Sequence, residues 1–76
     1  MTLDLDGPEP LYAQIAAVLA ARIADGTYPA RRRIPSETEL TEEFDVSRPT
    51  VRQAIQVLRD RGLAETVRGK GTYVTG

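Results

Sequence analysis

Between positions 47 and 53 the chain reads Ser47-Arg48-Pro49-Thr50-Val51-Arg52-Gln53. Those side chains could grip a polyanion and read the edge of a base. A guanidinium fork matches guanine O6 and N7, and a Gln amide matches adenine N6 and N7. Hydroxyls beside unpaired backbone N–H groups at a helix start suit a phosphate oxygen. A second basic group, Arg68-Gly69-Lys70-Gly71, lies near the end of the chain. There Gly permits close backbone approach, and its neighbours supply charge for a minor groove or its phosphates.

Other chemistries are poorly supplied. The chain has no Cys and no His, which removes thiolates, disulfides, and the commonest general base and metal ligand. No nucleophile–base pair or phosphate loop is visible, so an enzyme is not expected, nor is a cofactor or a metal. The acids Glu37, Glu39, Glu42, Glu43 and Asp45 could suggest a metal site. Favourable charge at a helix N-terminus explains the first of them more simply.

The reactive residues need elements to aim them. At 76 residues there is room for one small domain and little room for a deep substrate cavity. Residues 1–8 read as a flexible acidic lead ending in Gly7-Pro8, and 9–76 as the folded domain. A first helix begins at Glu9-Pro10, where Pro is tolerated in the first turn. Leu11, Ile15, Val18 and Leu19 share one face of it, and Gly26 caps its end. Residues 27–35 form a connection with the run Arg31-Arg32-Arg33, read as a solvated loop. Ser36 and Glu39 are spaced as a capping box for a short helix whose inner face is Leu40 and Phe44, ending near Asp45.

Three residues on, Ser47 caps another helix, spanning about 47–61. Val46 and Val51 are spaced as its hydrophobic staple. Val51, Ala54, Ile55 and Leu58 form its buried stripe, which turns Pro49, Arg52, Gln53 and Gln56 outward and leaves Arg48 at the border. Gly62 ends it, and the period then changes. Leu63–Val67 and Thr72–Thr75 read as two strands joined by the turn 68–71. The expected fold is α+β and mainly α: three helices followed by a two-stranded β-hairpin. Two helices joined by a short turn, the second opening with Arg and Thr, form a helix-turn-helix, and the hairpin adds a wing.

Four blocks make the pattern specific: Pro10-Leu11-Tyr12-Ala13-Gln14-Ile15; Pro35-Ser36-Glu37 with Glu39-Leu40; Val46-Ser47-Arg48 with Thr50-Val51-Arg52; and Gly62-Leu63 leading to Gly69-Lys70-Gly71-Thr72-Tyr73-Val74. In this order and spacing the chain resembles the N-terminal winged-helix domain of GntR-type bacterial transcription regulators, with an opening block like that of the HutC and YtrA branches. The resemblance implies sequence-specific binding of a double-stranded DNA operator. It puts the helix about 47–61 in the major groove and the turn 68–71 at the minor groove. It implies base or phosphate contacts for Arg48 and Arg52, backbone contacts for Ser47 and Thr50, and minor-groove entry for Gly69. Pro49, Gln53, Arg68 and Lys70 complete the expected contact set, with Thr38, which stands where the family often carries a DNA-binding Arg. Departures are Thr38 itself, Arg31 where Gly is usual, and Pro49 where a polar residue is common. Members usually continue into an effector-sensing, dimerising domain, which these residues do not contain. A homodimer on a palindromic site is the expected reading unit.

Plainer readings stand beside these. Arg48 and Arg52 could be solvated charges or ion-pair with Glu42, Glu43 or Asp45. Gln53 and Gln56 could simply face solvent, and Thr50 could only help cap its helix. A winged helix can also be a protein-interaction module without specific DNA binding, and salt dependence separates the two. No stretch is long and apolar enough to span a membrane and the first residues are no secretory signal, so the expected location is the cytoplasm, at the nucleoid.

The net charge of −1 argues against such a role until it is divided along the chain. Residues 1–30 carry −3, residues 31–46 carry −2, and residues 47–76 carry +4. The expected pattern is a polarised domain whose acids face largely away from DNA.

Overall fold

The computed structural model describes Leu3, Gly7 and residues 9–76. Most of the expected lead therefore lies outside the described residues, although Leu3 packs, partly buried, against the core. The elements follow the order α1 (Leu11–Ala24), α2 (Glu37–Phe44), α3 (Arg48–Asp60), β1 (Ala64–Val67) and β2 (Gly71–Val74).

Apolar spacing accounts for how the helices assemble. The inner face of α1 buries Ile15, Ala16, Val18 and Leu19. That of α3 buries Val51, Ala54, Ile55 and Leu58, the stripe expected from the sequence. These faces meet around Leu40 of α2, and Ile34 joins them from the connection. Each fully buried Leu or Ile contributes about 1.5–3 kcal/mol of transfer free energy, so this cluster is the main stabilising term. No polar or charged side chain is buried among the described residues.

Local chemistry sets the boundaries. Pro10 lies one position outside α1 rather than within it. Its extended ψ of 153° makes it the N-cap, and its carbonyl accepts from Ala13 and Gln14 N–H. The α2 capping box is complete: Glu39 N–H donates to Ser36 Oγ at 3.1 Å, and Ser36 N–H donates to Glu39 Oε1 at 3.2 Å. After Phe44 the chain turns through Asp45 in the left-handed region (φ 53°) and re-enters a helix at Arg48. Asp tolerates that conformation better than most non-glycine residues. The helix read as 47–61 is Arg48–Asp60, with Ser47 and Arg61 as its caps.

The strands pair antiparallel, with Ala64 opposite Val74 and Val67 opposite Gly71. The link is a three-residue turn, 68–70, because Gly71 already belongs to β2. Lys70 N–H donates to Val67 O at 3.0 Å and Gly69 has φ 77°, the signature of a type II turn with Gly at its third position.

The connection before α2 is more ordered than a solvated loop. Arg31 N–H donates to Val74 O, Val74 N–H to Arg32 O, and Ile34 N–H to Thr72 O, each at 2.9 Å. Arg33 thus sits opposite Tyr73 in an antiparallel bridge. β2 lies between β1 and this segment, which ties the wing to the entrance of α2. Arg31 adopts φ 64° to make the approach, a left-handed conformation suited to Gly.

Candidate nucleic-acid interface

The capping box fixes Glu37 and Thr38 in the first turn of α2, and the tight turn brings the first turn of α3 beside them. A hydrogen-bonded chain results. Arg48 Nη1 donates to Glu37 Oε1 at 3.2 Å, and its Nη2 donates to Thr38 Oγ1 at 3.1 Å. Arg52 Nε donates to both carboxylate oxygens of Glu37, at 3.2 and 3.3 Å. The side chains of Arg48 and Arg52 remain 48 % and 62 % exposed, so they are paired yet open to a ligand.

These pairings correct one expectation. The arginines are paired, but with Glu37 rather than Glu42, Glu43 or Asp45. Glu37 is also an exception among acids expected to face largely away from the basic surface, because it stands between the two arginines. A carboxylate in a helix's first turn is explained by the dipole alone, which is why its other role was hidden. The sequence signal was the spacing: an acid at the first position of one helix of a helix-turn-helix, facing the first turns of the next.

Ser47 occupies the N-cap of α3 without capping it through its side chain. Its Oγ shares a hydrogen bond with Thr50 Oγ1 at 2.9 Å. The two hydroxyls therefore stand together at the helix start, where the positive end of the dipole lies. Pro49 and Gln53 are exposed on the same helix. Gln56 is held along the helix surface by Asp60 and Arg59.

The wing adds the other wall. An open groove between it and the helix-turn-helix is lined by Thr38, Arg48, Arg68, Gly69 and Lys70 of the expected set, together with Arg33 and Glu37. Ser47, Pro49, Thr50, Arg52 and Gln53 lie outside that lining, with Arg52 linked to it through Glu37. Arg33 Nη1 donates to Lys70 O at 3.1 Å, and its aliphatic stem lies over Gly71, where a Cβ would come within 2.8 Å of Arg33 Cδ. Part of the arginine run therefore braces the wing turn, a role that only the long-range pairing reveals.

On another part of the surface Arg22 ties α1 to α2. It donates to both carboxylate oxygens of Glu43 and to Tyr28 Oη, and lies over the rings of Tyr28 and Phe44. The bonded guanidinium holds the Glu43 carboxyl below its ordinary pKa despite partial desolvation. Asp25 is lowered likewise by hydrogen bonds from Thr27. Both groups lie outside the groove lining.

Three helices with a three-residue turn (45–47) before the last, closed by a basic hairpin, define a winged helix-turn-helix domain. Residues 11–74 match the family described as "Bacterial regulatory proteins, gntR family". The chain belongs to that family. It is 39 % identical over 69 residues to the histidine utilization repressor of Pseudomonas putida, covering 91 % of this chain and 28 % of the relative. The DNA-binding domain of AraR, solved in complex with operator ORE1, superposes with a TM-score of 0.87 at 38 % identity, covering 96 % of this chain and 89 % of that one. YtrA of Sulfolobus acidocaldarius, a GntR-family transcription factor, superposes at 0.88 with 31 % identity, covering 99 % and 79 %. The chain thus spans between a quarter and a third of the length of the curated relative. Among the described residues no helix is long and apolar enough to cross a membrane.

Proposed function

We propose that residues 9–76 form the sequence-specific, double-stranded DNA-binding unit of a bacterial transcriptional repressor, acting without catalysis in the cytoplasm at the nucleoid. The observation that carries this reading is the placement of exposed Arg48 and Arg52 on the first turns of α3, beside a groove whose other wall is the basic wing. A major groove of about 12 Å admits one helix led by its N-terminus.

In this reading α3 enters the major groove. Arg52 and Gln53 face base edges, and Arg48 lies at the α2–α3 junction. Ser47, Thr50 and the first backbone N–H groups of α3 receive a phosphate, with Pro49 packing against the backbone and Thr38 beside it. Arg68, Gly69 and Lys70 lie along the adjacent minor groove. Two copies reading a palindrome would supply the affinity one module lacks. The AraR domain, solved with its operator, supports operator binding, and the repressor relative supports the regulatory role.

Random-site selection on the 76-residue chain tests it. The expected result is a consensus half-site, bound with log K falling against log[salt] by about 0.9 per neutralised phosphate. No enrichment, with no salt slope on any duplex, would instead favour a protein-binding module.

A further inference from the structure

The two guanidinium groups on α3 are not equivalent. Arg48 spends both of its Nη groups inside the protein, one on Glu37 and one on Thr38. Arg52 uses only Nε, against the Glu37 carboxylate. Among the described residues its Nη groups make no hydrogen bond, so the fork that matches guanine O6 and N7 is the part left open. Glu37 is itself held: it occupies the first position of α2, beyond a complete capping box, and its side chain is only 35 % exposed.

We infer that Glu37 is a positioning residue that sets specificity, orienting Arg52 to read a base and restraining both arginines from phosphates. The inference rests on the DNA-binding reading above. A carboxylate between two arginines acts as an internal competitor for phosphate. On random DNA, an arginine that swings to the backbone must leave Glu37. At the operator, Arg52 keeps its Nε contact while its Nη fork engages the base, so the side chain is ordered before binding and less entropy is lost. Glu37 therefore disfavours the non-specific complex and favours the specific one. This fits a negative residue standing on the basic face of the domain.

The test compares E37Q with wild type on two probes: the duplex recovered by random-site selection, and a random-sequence duplex pool. E42Q removes the same charge from an exposed position elsewhere on α2 and serves as the charge-matched control. For E37Q, random-pool affinity should rise about two- to fivefold, the strength of an exposed ion pair. The salt slope on that pool should steepen by about 0.9 for each arginine released to a phosphate. Affinity for the selected duplex should fall about two- to tenfold, as expected when a side chain must be ordered on binding. Circular dichroism melts establish that the variant folds. Should E37Q and E42Q shift both probes by one common factor, Glu37 would be a generic charge and the inference is overturned. It is also overturned if E37Q loses affinity only for duplexes with cytosine at one position, because Glu37 would then read that base directly. A wild-type chain that prefers no duplex would refute the DNA-binding reading first, independently of how E37Q behaves.

Discussion

Replacing Arg52 with Ala separates base reading from charge. The side chain is 62 % exposed, so its removal leaves no core cavity. It loses one exposed ion pair with Glu37, worth about 0.2–1 kcal/mol, and Ala is an excellent helix former at that position. The domain should therefore stay folded. On the selected duplex a bidentate guanine contact is worth about 1–3 kcal/mol. At about 1.4 kcal/mol per decade, this is about a 5- to 150-fold loss. On random DNA the loss is confined to one charge, a change of about 0.9 or less in salt slope. Fluorescence anisotropy with both duplexes at matched salt measures the two together. Arg52→Lys keeps the charge but lacks the planar fork, so it should restore the salt slope without restoring operator affinity. If Arg52→Ala weakens both duplexes equally, or Arg52→Lys recovers full operator affinity, Arg52 is a phosphate clamp and the base-reading argument fails.

Other perturbations address the scaffold. Arg31→Gly relieves the left-handed strain at φ 64°; the net gain should be about 0.5–1 kcal/mol, measured by urea denaturation, and a loss would contradict the strain argument. Leu58→Ala, at a fully buried α3 position, should cost about 2–5 kcal/mol and leave a domain this small largely unfolded by circular dichroism. Glu43 has a carboxyl pKa lowered by Arg22. Its contribution is therefore present above the ordinary Glu value of about 4.3 and is lost as pH falls through the lower folded value. Glu43→Gln should flatten the acid limb of the stability–pH curve below about pH 4.5, by no more than about 1 kcal/mol for so exposed a pair; an unchanged limb would remove the ion pair from the account.

Much of this was legible locally. The stripe Val51, Ala54, Ile55 and Leu58 emerged as the buried face of α3 because its spacing leaves no other helical solution. The Ser36–Glu39 capping box depends only on residues three apart and formed as read. What stayed hidden depends on distant partners. Arg31–Arg33 carries no strand pattern of its own, and it pairs only because β2 offers a free edge some forty residues later. Ile34, framed by Arg33 and Pro35, looks like a loop residue until that pairing directs it into the core. Glu37 reads as a first-turn acid until α3 brings two arginines to it. Ser47 stands at the N-cap as its type and place imply, while its hydroxyl pairs with Thr50. The wing turn was one residue too long on paper, since Gly71 joins β2.

The central claim concerns a face: α3's first turns and the wing turn meet DNA together. Amide chemical-shift mapping of the labelled chain during titration with its selected duplex tests that most directly. The account predicts the largest shifts at residues 47–53 and 68–71, with the Arg22–Glu43 region little changed. Shifts centred on that region, with the start of α3 and the wing unmoved, would contradict it.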